Sequence, residues 1–433
     1  MRPTTPRLVF TLAVLLGINT MNFFDRQILG AVQEKIKADW SLSDSKLGML
    51  GTAFILLYAF IGLPLGHLAD VWRRKWLLAI GVAVWSFFTL ASGFATGFWS
   101  LFVYRLGVGV GEASCAPTAS SLIGDLVPPD RRARAMSLFM VGLPAGLALS
   151  FVVSAMIAQR TNSWEAAFFV AGAPGLLLAV LALFIADPPR GGAHQQAGGL
   201  PFLAVVRRVL SFPTMWWIIA SGALHNFNMY ALGSFIASFF KRYHEVTIEQ
   251  AGQISSLVYG FGAVGIFAAG WVGDYAFKRG ISGRLNVAWV GLLLAVPCLL
   301  VGLAAPKGEV VWCTVWMLLG CTLLYAYYGT VYATIQDIIE PSLRGMAMAI
   351  YFFAMYLLGA ALGPVGTGWL SDTFARRAAL ADGSSELLPI HQAIGLRDAM
   401  YVIPILNAAL VLVLFAASRT VKADVLRQNP SQA

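Results

Sequence analysis

The sequence predicts an all-α polytopic membrane protein: twelve spanning helices in two pseudo-symmetric six-helix bundles. Three observations predict it. The first is composition: of 433 residues, 58% are hydrophobic and only 12% charged, with a mean hydropathy of +0.73. Soluble domains carry about 25% charged residues. The second is that apolar runs of about 20 residues recur along the whole chain, the length an α-helix needs to cross a bilayer. The third is an internal repeat. Gly66-His-Leu-Ala-Asp70, with Arg74 and Lys75 after it, returns as Gly270-Trp-Val-Gly-Asp274 with Lys278 and Arg279. Asp125, Pro129 and Arg132 return as Asp337, Pro341 and Arg344, each 212 residues on. Parallel six-helix halves around a midplane site are a transporter architecture.

The first six spans are read at 8–32, 46–69, 76–96, 98–124, 133–159 and 165–186. Asp187-Pro-Pro-Arg-Gly-Gly192 and the polar stretch after it then break the apolar pattern. The expected organisation is a bundle over 1–187, a linker over 188–212 and a second bundle with its tail over 213–433. Arg207 and Arg208 sit among apolar residues of the linker, which suits either a helix in the membrane interface or a plain connection. The second six spans are read at 214–240, 250–276, 285–305, 310–336, 344–371 and 396–418.

Basic residues set the orientation. The loops on the side of both termini carry eighteen Lys and Arg, against ten on the other side. The positive-inside rule makes the richer side cytoplasmic. The N-terminus is short and basic, with no A-x-A-like cleavage site, and reads as a first span and not a signal peptide. Short loops suggest a bacterial inner membrane. The net charge of +9 is dispersed over these loops, so no nucleic-acid partner is expected. Cys115, Cys298, Cys313 and Cys321 all fall in apolar runs, which points to neither a disulfide framework nor a metal site. An intramembrane lipid-modifying enzyme needs a nucleophile or metal set, and the sequence offers none. It also lacks a phosphate-binding glycine loop of the nucleotide-hydrolase type. No enzyme activity and no cofactor are expected.

Four charges lie where charge is costly. Arg105 and Glu112 share one face of the fourth span, about 10 Å apart along the axis. Asp25 and Arg26 lie at similar depth in the first span. A charge at bilayer depth costs about 2.5–3.5 kcal/mol on insertion scales, so it faces a partner or a water-filled cavity. Arg105 and Glu112 read either as a structural ion pair pinning helices or as a charged site on a transport path. Gly107, Gly109 and Gly111 between them leave the backbone bare for close packing. None of the four charges recurs in the second half, where the 212 offset places Met317 and Leu324, and this asymmetry favours function. Which arginine lies near decides how a buried acid titrates, so protonating Asp25 or Glu112 releases an arginine toward an anionic substrate.

The second half carries aromatic and amide groups instead. Tyr325, Tyr328, Tyr332 and Gln336 share a face of the tenth span. His225, Asn226, Asn228 and Tyr230 lie in the seventh, and Tyr351, Phe352, Phe353 and Tyr356 in the eleventh. Any one of these residues also reads as ordinary helix packing. A charged first half facing an aromatic second half suits an amphiphile with an anionic head.

Gly66, Asp70, Arg74 and Lys75 match the loop signature of the major facilitator superfamily, G-x-x-x-D-R-x-G-R-R, while Val71 and Arg73 depart from it. Arg105-Leu-Gly-Val-Gly-Val-Gly-Glu-Ala113 also matches that superfamily's helix-4 pattern. Within the superfamily, R-x-x-x-G-x-G-E-A-S running on to Asp125 resembles the Spinster family of lysolipid and sphingolipid transporters. So do Pro128-Pro-Asp-Arg-Arg-Ala-Arg-Ala-Met-Ser137, Asn22 to Arg26, and Gly359, Gly363, Pro364, Gly366 and Asp372 in helix 11. The resemblance implies alternating access in a secondary active transporter. Asp25 and Glu112 are expected to couple protons. Asn22, Arg26, Arg105, Asn226, Tyr230, Tyr325, Tyr328, Tyr332 and Tyr356 are expected to bind substrate. Gly66, Asp70, Arg74, Lys75, Arg132, Asp274 and Arg344 are expected to form a cytoplasmic gate. The expected cargo is a lysophospholipid or a sphingosine phosphate-like anion, with small organic anions such as sugar acids as the alternative. Its other partners are protons and membrane lipids, and the chain is expected to act as a monomer.

Overall fold

The computed structural model describes residues 5–188, 202–340, 343–384 and 386–428, without the side chains at 63, 66, 67, 69–71, 129, 130, 132–134, 137, 202 and 428. All regular secondary structure among these residues is helical. Ten helical stretches among them are long and apolar enough to cross a membrane. They correspond to every expected span except the fourth and the seventh. The fourth is broken into α4 (Phe98–Glu112) and α5 (Cys115–Leu126), each too short alone. The seventh, α10 (Pro213–Tyr243), is joined at 90° to the short helix α9 (Phe202–Val209). These two complete the twelve. The right angle and the paired Arg207 and Arg208 in its last turn suit an interfacial α9.

The first three spans are α1 (Thr5–Trp40), α2 (Asp44–Val71) and α3 (Arg74–Ser92). After the broken fourth, α6 (Pro129–Met140) and α7 (Gly142–Thr161) form the fifth and α8 (Glu165–Ala182) the sixth. The eighth is α11 (Ile248–Gly260) with α12 (Gly262–Arg279), the ninth α13 (Gly283–Leu303). The tenth is α14 (Val310–Leu324) with α15 (Ala326–Ile338). The eleventh joins α16 (Arg344–Met355) to α17 (Leu362–Ala381), and the twelfth α18 (Pro389–Met400) to α19 (Val402–Gln428).

Helix ends run past the spans read from hydropathy, most clearly in α1, which continues to Trp40 where the apolar run ends near 32. Hydropathy marks the membrane, whereas Glu34, Lys35 and Lys37 are good helix formers that continue the ladder beyond it.

The breaks repeat as the motifs do. Ala113, at the break of the fourth span, and Tyr325, at that of the tenth, stand 212 residues apart. At the first, Ser114 Oγ donates to the Gly111 carbonyl at 2.8 Å. This competes with the helix ladder. The eleventh span is interrupted by a π turn over Tyr356–Ala360. Pro364, four residues after Ala360, has no N–H for its carbonyl, so the ladder reorganises locally.

The glycines of the fourth span pack as expected. A side chain on Gly107 would enter the ring of Phe88, and one on Gly109 would meet the Phe54 carbonyl. The bare helix thereby lies directly against the second and third spans.

Candidate functional site

The first span meets the broken fourth at mid-depth. Arg26 is 7% exposed, and its Nε donates to Glu112 Oε2 at 2.9 Å. Its Nη1 donates to the hydroxyls of Tyr230 at 3.3 Å and Tyr356 at 3.4 Å, from the seventh and eleventh spans. The guanidinium also lies 4.7 Å from the Tyr58 ring centroid and 4.8 Å from that of Phe23. One side chain thus joins an acid of the first half to two phenols of the second.

Arg105 takes a different partner from the one its spacing suggests. Its Nη1 donates to the backbone carbonyl of Asp25 at 3.2 Å, and its guanidinium lies 5.3 Å from the Phe54 ring. Glu112 therefore pairs with Arg26 of another helix and not with Arg105 of its own. Thr89 Oγ1 donates to Asp25 Oδ2 at 3.2 Å. Five atoms here find no hydrogen-bond partner among the described residues: Asp25 Oδ1, Glu112 Oε1, Asn22 Nδ2, and Nε and Nη2 of Arg105. Buried polar groups are normally paired, and unpaired ones call for a functional account. Acceptors on two acids and donors on a neighbouring cation are what a site for a proton and an anion requires.

The second-half residues divide by position. Tyr230, Tyr328, Tyr332 and Tyr356 are partly exposed. Tyr356 meets Tyr58 edge-on at 4.9 Å, and Tyr328 meets Tyr332 at 5.7 Å. Tyr325 is buried at the helix break against Gly262, and Asn226 is buried with its Nδ2 on the Gly222 carbonyl at 3.0 Å. His225 is fully buried, stacked on Tyr327 at 4.0 Å, with no hydrogen-bond partner on either nitrogen among the described residues. Tyr327 bonds Ser221 at 2.8 Å and Tyr351 at 2.9 Å. Sequence reasoning missed Tyr327 and Tyr58. Tyr327 stands about 100° round α15 from Tyr328, off the face that Tyr325, Tyr328 and Tyr332 mark.

The model of the Major Facilitator Superfamily matches residues 15–364. Human protein spinster homolog 1 is 31% identical over 402 residues, covering 86% of this chain and 74% of that protein. The chain belongs to the Spinster family of the major facilitator superfamily. A crystal structure of a bacterial homolog of the human lysosomal transporter Spinster, inward-facing and unoccupied, superposes with a TM-score of 0.88 at 28% identity. It covers 98% of this chain and 99% of the other. Its inward-facing, occupied form gives 0.85 at 26% identity, with the same coverage. This Spinster-family protein is a secondary transporter and not an enzyme.

On the face that carries the termini, the expected gate residues bond within their own halves. The transporter's Arg74 pairs with Asp125 and Asp187 and donates to the Pro188 carbonyl at 2.7 Å, while the Lys75 backbone N–H meets Asp187 at 3.4 Å. Asp274 pairs with Arg284 at 2.8 Å, and Arg284 also pairs with Asp337. Arg344 donates to the Ile339 carbonyl at 3.2 Å. Arg74–Asp125 and Arg284–Asp337 are one clamp built twice, from the start of the third span of each half to the end of its fourth. The side-chain positions of Gly66, Asp70 and Arg132 lie outside the described residues.

The opposite face is bonded across the halves. Arg242 of α10 pairs with Glu34 at 2.6 Å and with Asp44 at 2.7 Å. Lys37 also meets Asp44, at 2.6 Å. From α17, Ser371 donates to Asp44 at 2.6 Å. The Asp372 carboxylate accepts from the backbone N–H groups of Asp44 and Ser45, both at 2.9 Å, and so caps α2 from the other half. Gly368 allows the approach, since a Cβ there would strike the Asp44 backbone. Sequence reasoning treated Lys37 and Arg242 as topology signals only. Opposite charges at the matching ends of the first, second and seventh spans were the available clue.

Proposed function

We propose that this transporter moves an amphiphilic anion, a lysophospholipid or a sphingosine phosphate-like molecule, by proton-coupled alternating access. The proposed units are 1–187, the linker 188–212 and 213–433. The proposed setting is a bacterial inner membrane with both termini cytoplasmic, and the proposed working form is a monomer. The observation that carries the reading is Arg26, which holds Glu112 with one nitrogen and two second-half hydroxyls with another.

Protonation of Glu112 removes the charge that holds Arg26. The guanidinium then becomes available to an anionic head group, and its hold on Tyr230 and Tyr356 can change with it. Arg105 brings two further nitrogens without hydrogen-bond partners among the described residues, which suit the same head group. Asp25 lies beside Arg105 and serves as the second proton acceptor. The rings of Tyr328, Tyr332 and Tyr356 offer large contact area to the apolar part at modest entropy cost. Asp70 and Asp274, with the basic loop residues beside them, are proposed to close the cytoplasmic face in the opposite state.

Arg105's free nitrogens equally suit a lone carboxylate, which keeps small organic anions as the second reading. Competition in proteoliposomes separates the two. Fluorescent lysolipid uptake that small acids fail to compete, and that falls in Arg26→Ala and Arg105→Ala, supports the amphiphile. Uptake of a small carboxylate with lysolipid ignored overturns it and leaves the transporter reading intact.

A further inference from the structure

A recess of about 360 Å³ opens on the termini face of the first half, lined by Arg7, Trp72, Arg73, Arg74, Lys75 and Asp187. It brings together four cations and one carboxylate. The carboxylate is already engaged, by Arg74 Nε and the Lys75 backbone N–H. Arg74 is 1% exposed and held by Asp125, Asp187 and the Pro188 carbonyl, so it forms a fixed wall. The side chains of Arg7, Arg73 and Lys75 make no hydrogen bond or ion pair among the described residues. Three unspent positive charges therefore surround a cavity that no part of the described protein fills.

The recess stands where α1 and α3 leave the apolar layer. Arg7 is the third residue of α1 and Arg74 the first of α3. Below it, Trp76, Ile80 and Phe87 are 42%, 47% and 61% exposed at positions i, i+4 and i+11 of α3, and Phe10 of α1 is 36% exposed. Trp76, Ile80 and Phe87 share one face of α3 and form an exposed apolar stripe suited to lipid. The exposed Trp72 at the end of α2 and Trp76 in the first turn of α3 suit the membrane interface, where indole rings concentrate. A molecule with its chains along this stripe has its head group at the recess. Basic pockets at such a depth recognise anionic lipid head groups.

We infer that this recess binds the phosphate of an anionic two-chain phospholipid of the surrounding membrane, at a site separate from the central cavity. The inference is independent of the cargo assignment, because none of its residues belongs to the mid-depth charge set. Arg7 and Arg73 are the residues to remove: both are exposed, and neither takes part in the Arg74 clamp. Each such cation is worth about fivefold in affinity.

The test is thermal unfolding of the full-length protein in detergent, titrated separately with phosphatidylglycerol, phosphatidylcholine and inorganic phosphate. Phosphatidylglycerol is expected to raise the unfolding temperature where the other two do not. R7Q/R73Q is expected to unfold at the wild-type temperature without lipid and to need about 25-fold more phosphatidylglycerol for the same rise. K278Q/R279Q removes the same charge from the same face of the second half and is expected to respond as wild type. Equal stabilisation by phosphatidylcholine, or a wild-type phosphatidylglycerol response in R7Q/R73Q, overturns the inference. An equal rise with inorganic phosphate overturns the lipid assignment in favour of a free-anion site.

Discussion

The two faces of the molecule are built from the same kinds of side chain and bonded in opposite ways. On the face away from the termini, Arg242, Glu34, Asp44 and Asp372 tie the first half to the second. On the termini face, Arg74 and Arg284 each tie spans within one half. Bonds within a half survive when the halves rock, whereas bonds between them must break. The first kind stiffens each moving body, and the second kind holds one state. A ligand or mutation shifts such an equilibrium only through contacts that differ between the states, so the Arg242 network is where the state is set.

The largest expected effect follows from Arg242→Ala. It leaves Glu34 and Asp44 buried without their shared cation, and breaking a buried pair costs about 3–5 kcal/mol. Spin-label distances across that face should lengthen and the population should shift strongly toward its open form. Unchanged distances would break the comparison. Gly368→Val tests the same lock through shape alone. Overpacking typically costs about 1–3 kcal/mol, and here it falls on the contact between α17 and Asp44. The same distances should lengthen, by a smaller population shift.

Arg284→Ala tests the other kind of bond. Its partners are partly exposed, so about 1 kcal/mol of stability in detergent is at stake. The unfolding temperature should fall while distances across both faces stay as they are. A change in the cross-face distances would show that the clamp is not internal to its half. The smallest effect is expected from Tyr230→Phe. Its hydroxyl accepts a long bond from Arg26, worth about 0.5 kcal/mol. Apparent substrate affinity should weaken about twofold, with cross-face distances unaltered.

Residues that violate the local rule were the ones sequence alone revealed. Asp25, Arg26, Arg105 and Glu112 stand out because charge is expensive at bilayer depth, and the structure gathers all four. Their pairing was not legible, because Arg105 and Glu112 share a helix face while the bond joins Glu112 to Arg26 across two helices. The twelve spans were legible from apolar runs, but the break at Tyr325 was not, and Tyr327 lay off the tyrosine face that the spacing marked. Lys37, Asp44 and Arg242 obey the local rule, being charges at helix ends. Opposite charges at matching helix ends were the one clue along the chain, and the pairing itself exists only when spans from both halves converge. The clamp at Asp125 and Asp337 lay in between: its acids and Arg74 were visible in the repeated blocks, but Arg284 and the pairing itself were not.

The central claim is that the charge on Glu112 decides whether Arg26 is held or free. Glu112→Gln fixes the uncharged state and keeps the shape. The direct measurement is fluorescent lysolipid transport in proteoliposomes at equal and unequal pH, with unfolding temperature in detergent measured alongside. The account predicts a folded variant whose transport no longer responds to the pH gradient. A folded Glu112→Gln protein that keeps the full wild-type response would contradict it.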